Sequence, residues 1–593
     1  MKTGLISLVL LCLPVCSWAK SAFSTAYFEA ENFTSQAGGN KASSEHFPYI
    51  GEGYLDMGGQ GATVTWNNIT APKAGPYTLI FKYANNTERE LPCDLKVNGK
   101  LIKNIPFSDV ERGWKVHWKS STEVYNPENT GWAKYWNARV MVDLAQGNNT
   151  VTLKVTGTEG PHIDNIGVST ALAKPPGPVV NVKDHGAKGD GLTDNSAAIK
   201  VAIEACPPGG SVVFDEGIYM TGSVELKANM TLWISEGATL RAFQDNSKFQ
   251  NFSGGFFNKY FMFGSQVDNL TITGGGAIDG NSIGELWNSG RENSRPALLG
   301  FSNSKNVMVT NIDLLNSGFW TFVPQESDSV IIDGINLRSI HGRNKDGINP
   351  LDCHDIQITN CTVECMDDAL CPKSYVSRGI DNLVYRNITV NSTKWKAIKF
   401  GLSTVGDFTN SVFEDLAFVH AQLGISLITK DGANVSNIKF NRIKMSRVQT
   451  PMIIVNSGVK SSSMKGVSIS NIEARDVYLP LGSIISGTQK GGTTYKVEDV
   501  SLTNVNVESF KGGLSEMPDP LQEYPWSSNW NVAAWPNFPA WGYTIRHADN
   551  VVFSNVTHSV SLEDTREDIV LEDVTGFKTE GQGKPSIPKP NNK

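Results

Sequence analysis

A short pattern, a polar residue followed by an apolar one, a spacer and a second apolar one, returns along most of this chain and limits what it can fold into. It reads Asn269-Leu270-Thr271-Ile272, Asn306-Val307-Met308-Val309, Ser329-Val330-Ile331-Ile332, Asp355-Ile356-Gln357-Ile358 and Asn382-Leu383-Val384-Tyr385. Later copies begin at Ile438, Val467, Val500, Val551 and Ile569. The steps from 307 to 330, 330 to 356 and 356 to 383 are close to one coil of a parallel β-helix. Period-two strands at this interval bury their inward residues only by stacking on the coils above and below, so the pattern predicts a solenoid. Asn or Asp at the rung corners predicts ladders of stacked side chains. The Asn-x-Ser/Thr sequons at Asn360, Asn387 and Asn391 fall in this pattern and read as ladder positions, with glycosylation open only to a eukaryotic host.

The flanks fit an all-β chain of more than one domain. Ahead of the repeat, Asn195 to Ala205 has helical spacing, with Ala198, Ile199, Ala202 and Ile203 in one apolar stripe. Such a helix would cap the solenoid's open end and cover its unpaired backbone. Residues 22–170 carry short alternating runs, among them Ala62 to Trp66, Tyr77 to Tyr83 and Thr150 to Val155, broken by Gly, Pro and Asn. They predict a β-sandwich. Residues 171–178, Ala-Leu-Ala-Lys-Pro-Pro-Gly-Pro, form a stiff linker, and 179–578 hold the repeat. Leu514 to Tyr543 interrupt it with Trp526, Trp530, Trp535 and Trp541 among several prolines, either a wall at the end of a groove or a cover over the last coils. Residues 579–593 read as a disordered tail.

Lys2, an apolar run from Leu5 to Val15 and Ser17-Trp18-Ala19 predict a signal peptide over 1–19 and a secreted protein, extracellular or periplasmic. No later stretch is apolar enough to span a bilayer. The net charge of -7 gives no basic footprint for nucleic acid. Export permits disulfides, and Cys353, Cys361, Cys365 and Cys371 lie close enough to include a pair.

Chemistry concentrates where Asn344-Lys345-Asp346-Gly347 is followed one coil later by Asp367-Asp368. Asp-Gly and Asp-Asp also form turns. Stacked on successive rungs, however, three carboxylates provide what glycoside hydrolysis needs, one acid held protonated and another ionised to activate water. Aligning Gly347-Ile348-Asn349, Ala369-Leu370-Cys371, Ala397-Ile398-Lys399 and Gly424-Ile425-Ser426 puts Asn349, Cys371, Lys399 and Ser426 in one column. Lys399 is then the cation of the site, directed at substrate or at the aspartates. Lys345, Lys396, Trp320, Arg343 and His341 flank the same rungs as further substrate-binding candidates.

Two resemblances extend this reading. Tyr27-Phe28-Glu29-Ala30-Glu31, Ala74-Gly75-Pro76-Tyr77-Thr78-Leu79 and His162-Ile163-Asp164-Asn165-Ile166 resemble carbohydrate-binding modules of families 6 and 35, which are jelly-roll sandwiches. The resemblance implies a structural calcium at Glu29, Glu31 and Asp164, and a ligand contact at Asn165. Trp114, Trp132 and Tyr135 are aromatic candidates for stacking on sugar, or else core residues. The segment Asp184 to Gly191, the Asp346 motif and Asp367-Asp368 followed by Lys373 resemble glycoside hydrolase family 28, the polygalacturonase and rhamnogalacturonase group of right-handed parallel β-helices. That resemblance implies Asp367 as general acid, Asp346 and Asp368 activating water, inversion at the anomeric centre and no catalytic cofactor. The chain departs from the family pattern in three places. Lys345 replaces a Thr, Lys396 stands near the expected His, and Ser426 and Ile428 replace an Arg-x-Lys pair. In pectin-cleaving members those cations hold the substrate carboxylate. The expectation is hydrolysis of a plant or algal polysaccharide or its oligosaccharides. The alternatives are a β-helix polysaccharide lyase and a non-catalytic glycan-binding protein.

Overall fold

The computed structural model describes residues 24–110, 135–283, 295–401, 403–458, 462–477, 482–509, 539–561 and 564–581. The signal peptide, Trp114, Trp132, most of the Leu514 to Tyr543 insert and most of the tail lie outside the described residues. The chain divides into two compact units, one built mainly from residues up to Pro176 and one from Gly177 onward.

The first unit is a sandwich of two antiparallel sheets. Thr25–Glu29, Lys41–Ser43, Tyr54–Asp56, Gly75–Ala84, Trp136–Leu144 and His162–Thr170 form one, and Ser35–Ala37, Thr63–Ala71, Cys93–Val97, Lys100–Ile105 and Gly147–Val155 the other. Alternation along Thr63–Ala71 sends Val64 and Trp66 inward, where they meet Leu79, Phe81, Leu153 and Ile166. The indole of Trp66 donates to the Ala30 carbonyl at 2.9 Å, so its one polar atom is satisfied inside the core.

The second unit is a parallel β-helix, and its register follows the repeat. Val307 pairs with Val330, Val330 with Ile356 and Ile356 with Leu383. Further on, Ile438 pairs with Val467, Val467 with Val500 and Val500 with Val551. Each pair is buried, and the stack is one continuous apolar core. Ile569 departs from expectation. It pairs with Tyr543 rather than Val551, because the strand Ala540–Val560 runs through two walls of the last coil. Thr579 and Glu580, expected in the tail, belong to a strand on Phe553 and Ser554.

Corner ladders hold the coils in step. Asn306 donates to Asn269 at 3.2 Å, Asn360 to Asp333 at 2.8 Å, Asn387 to Asn360 at 2.7 Å, and Asn504 to Asn471 at 3.1 Å. These corners are left-handed, with φ of 57° at Asn306, 53° at Asn360 and 54° at Asn387. Asn adopts that conformation more readily than other residues bearing a Cβ. Asn391 lies instead within a strand, stacked on Glu364. At the open end the helix Ser196–Ala205 buries Ile199, Ala202 and Ile203. Its capping residue Asn195 accepts from the Lys188 amide at 2.7 Å, which fastens the Asp184 to Gly191 loop.

The cysteine expectation is corrected. The six described cysteines are buried and stand outside any disulfide. Cys353, Cys361 and Cys365 turn toward the carbonyls of Leu351, Thr359 and Asp367 at 3.2, 2.9 and 3.1 Å, each at its own point of the coil rather than toward one another.

Candidate active site

The site is built by one column of parallel bridges. Phe322 pairs with Ile348, Ile348 with Leu370, Leu370 with Ile398 and Ile398 with Ile425, as the alignment of those rungs requires. Two residues earlier along the same rungs, Asp346, Asp368 and Lys396 fall one above another, with the Gly347 amide donating to the Asp368 carbonyl at 2.9 Å. Gly347 is needed there. A Cβ at this position would lie 2.4 Å from the Ala369 carbonyl oxygen and 2.8 Å from Val363, so a side chain would push the coil bearing Asp346 off the one bearing Asp368. The approach leaves oxygens of Asp346 and Asp368 and the sulfur of Cys371 all within 4.8 Å of one another. That spacing would suit a cation, but lysine ammonium groups already supply the positive charge.

Lys399 donates to Asp368 at 2.5 Å, and Lys373 donates to Asp346 at 3.1 Å and also to the Asn349 side-chain oxygen. Asp367 differs from both neighbours. It is half-buried where they are buried, and its carboxylate accepts from the Asp368 amide at 3.0 Å. Its main-chain carbonyl is held by Ser392 at 2.8 Å.

This allotment of cations separates the three acids. Burial, then Asp346 and Asp368, pushes Asp367 well above the usual carboxylate range, with Lys399 only partly opposing. For Asp368 burial also favours the neutral acid, but Lys399, Lys396 and Lys373 outweigh it and hold the carboxyl below its ordinary value. Asp346 rises to about 6, chiefly through burial, with Lys373 pulling it down and Asp368 pushing it up. Two adjacent residues are thus driven in opposite directions, which is how one site comes to contain both an acid and a base.

The other candidates divide. Lys399 lies in the expected column, opposite Ser426, and is turned to Asp368. Lys396 is buried beside Trp395, with its ammonium 4.3 Å from the ring centre, and burial lowers it to about 8. Asn349 is buried as the acceptor for Lys373. Trp320 is also buried, packed flat against Phe256 with centroids 5.6 Å apart and with Lys373 3.8 Å above its ring. It forms a floor beneath the cation, not an open sugar platform. Arg343 and His341 are exposed on the loop before Asn344.

Lys345 is the clearest correction among the substrate-binding expectations. It is fully buried, donating to Ser282 at 2.9 Å and to the Ser317 carbonyl, and burial lowers it to about 6. With Asn344 left-handed at φ 52°, the side chains of the motif separate, Asp346 to the site and Lys345 to the interior.

Sequence reasoning missed Arg295 and the setting of Lys373. Arg295 donates to the Arg343 carbonyl at 2.6 Å and to the Asn344 side chain at 2.7 Å, fixing the loop that carries Asp346. It lies well upstream with no motif around it. Lys373 was visible as part of the Asp367-Asp368 motif. Its pairing opposite Leu351 supplies the rest, since an ammonium in that register can reach back toward Asp346.

In the sandwich, Tyr135 and Asn165 are both buried, and the Asn165 amide donates to Asp164 at 3.1 Å. Tyr135 thus takes the core position that was its alternative, and Asn165 is not an exposed sugar contact, which corrects that expectation. Glu29 pairs with Asn165 across the sheet, and the Ala30 amide donates to the Asp164 carbonyl at 3.2 Å, so the chain from Glu29 to Glu31 runs beside Asp164. Their carboxylate oxygens are of the hard type that calcium takes.

Both units resemble known proteins. Residues 29–170 match the carbohydrate-binding module of family 6, and residues 219–518 match the glycosyl hydrolases of family 28. A probable polygalacturonase of Vitis vinifera is 30% identical over 280 residues, 42% of this chain and 56% of its own length. An endo-polygalacturonase of Pectobacterium carotovorum is 24% identical over 353 residues, 54% of this chain and 86% of its own. Among solved structures, an exopolygalacturonase from Thermotoga maritima aligns at 22% identity with a TM-score of 0.48, covering 57% of this chain and 89% of that one. The family match spans half of the chain and contains the Asp346, Asp367 and Asp368 rungs, so this protein belongs to glycosyl hydrolases family 28 and is a glycoside hydrolase.

Proposed function

We propose that this protein is exported and hydrolyses glycosidic bonds of a pectic polysaccharide, or of oligosaccharides released from one, by a single displacement with inversion. Asp367 gives its proton to the leaving glycosidic oxygen. Asp346 and Asp368 together orient a water molecule and take its proton as the oxygen bonds to the anomeric carbon. Lys399 keeps Asp368 ionised for that task. No cofactor enters these steps. Glu29, Glu31 and Asp164 would hold a calcium ion that stiffens the sandwich, and the sandwich would keep the enzyme on its glycan.

The observation that carries this reading is the unequal pairing of the three carboxylates, Lys399 on Asp368 and Lys373 on Asp346, which favours the ionised form of Asp368 while burial and its two acidic neighbours push Asp367 upward. The pectic substrate rests on the polygalacturonase relatives. The Arg-x-Lys positions occupied here by Ser426 and Ile428 argue for altered recognition of the uronate. Polygalacturonan and rhamnogalacturonan should therefore be assayed side by side, with proton NMR reading the anomer first formed. Inverted product that disappears in Asp367→Asn supports the assignment. An unsaturated product absorbing in the ultraviolet would replace hydrolysis by β-elimination. No cleavage of any glycan would leave a binding protein.

A further inference from the structure

The two carboxylates assigned to water activation each have their own lysine, and among the described residues none is ion-paired with the proposed acid. Lys399 on Asp368 stands in the column that the repeat aligns, but Lys373 on Asp346 is of another kind. Lys373 is fully buried, and its ammonium sits between the Asp346 carboxylate at 3.1 Å, the Asn349 side-chain oxygen and the face of Trp320 at 3.8 Å. A lysine kept wholly from water is costly unless its charge is matched, and an apolar residue often packs such a place at least as well. A surface ion pair would not need an aromatic floor. Here Phe256 and Phe319 both lie flat against Trp320, with centroids 5.6 and 6.0 Å away, which fixes the ring on which the ammonium rests.

We propose that Lys373 is a positioning residue for Asp346. Clamped between Trp320 and Asn349, its ammonium holds that carboxylate ionised and turned toward the attacking water. This rests on the assignment of Asp346 as a water-activating base. Lys373 does not touch substrate, because Asp346, Asn349 and Trp320 enclose it.

Charge around the pair comes from every neighbouring rung. Asp346 faces Lys373, Asp368, Asp367 and Lys399, with the Cys365 thiol behind it, and Lys373 also faces Cys371 and Tyr375. Burial pulls Lys373 toward neutrality, and the surrounding anionic groups, Asp346 among them, outweigh it and keep it charged. Removing this one cation leaves Asp346 beside Asp368 with less compensation, so its proton becomes harder to lose.

The test is the pH profile of kcat for full-length Lys373→Met and Lys373→Gln, with Asp367→Asn as reference. The acid limb should move to higher pH by about one unit or more, the size expected for loss of an opposite charge within a few ångströms. Activity should recover toward the wild-type level above that limb, KM should change less than kcat, and Gln should fall between Met and wild type because it still donates one hydrogen bond. A folded Lys373→Met with the wild-type acid limb overturns the proposal, as does a uniform loss at every pH. If Met does not fold, Gln alone decides by the same shift. If neither folds, by far-UV circular dichroism, Lys373 belongs to the fold and the proposal is wrong. Failure of the underlying reading looks different, because Asp367→Asn would then keep its turnover.

Discussion

Two stacks run along the same β-helix, and they differ in one respect. At the corners like lies on like: Asn387 stacks on Asn360, both left-handed and each donating to the rung before, with the Asp333 carboxylate accepting at the foot of the ladder. On the active face the columns are broken by a change of residue: Asp346, Asp368 and then Lys396 in one line, Asn349, Cys371, Lys399 and Ser426 in another. A repeated residue satisfies its neighbour with the bond it receives, so the ladder closes on itself and stabilises. A broken column leaves charges that only long side chains from other positions can match, and those charges remain available to act on a ligand. Interruptions of the repeat on one face are therefore where chemistry resides in such a fold.

Substitutions on the two stacks should separate turnover from stability. The largest effect is expected on the active face, where Asp367→Asn should lower kcat by about 10²–10⁴-fold, the usual contribution of a general acid, with the urea midpoint nearly unchanged. Lys399→Met should raise the acid limb of kcat by about 1–3 pH units, since Asp368 loses the nearest of the cations that oppose its burial. In the wild type the same limb should lie near the value of about 6 to which Asp346 is raised, with activity falling as pH drops through it and Asp346 takes up a proton. A wild-type profile flat from pH 5 to 7 would contradict that assignment.

The corner should respond in the opposite way. Asn387→Ala removes a buried ladder bond and places a Cβ without polar compensation at φ 54°, at a cost of about 1–3 kcal/mol read from the urea midpoint. Its kcat per folded molecule should be wild-type. Lys345, inside the coil, should show its effect in the pH dependence of stability alone. Its amine is lowered to about 6 in the fold, against about 10.4 in the unfolded chain. Between those values the unfolded state binds more protons, so wild-type stability gains as pH rises. Lys345→Met lacks that gain, so the Tm difference between the two proteins should move in favour of the wild type from pH 6.5 to 9. A difference independent of pH would mean that Lys345 is charged in the fold.

Much of the architecture was legible in the chain because a period in sequence is a period in burial. Val307, Val330, Ile356 and Leu383 must each find an apolar neighbour one coil away, and only one register gives all of them one. The same register stacks Asp346 on Asp368, and for that reason the carboxylate set could be named from spacing. Thiols, aromatic rings and lysines were less legible. Nothing local says that Cys353 and Cys361 occupy separate points of the coil, or that Tyr135 turns inward.

The coil, its corners and the three acids are written into the chain, since these follow from short-range alternation repeated at a fixed step. Only the tertiary structure decided which lysine serves which acid. Lys345 precedes Asp346 and Lys373 follows shortly after Asp368, yet one donates to Ser282 and Ser317 and the other to Asp346. A long flexible side chain goes where volume and opposite charge are left for it. Here that was set by Gly347 letting two coils close together and by Trp320 providing a floor, contacts made across rungs that no stretch of sequence contains.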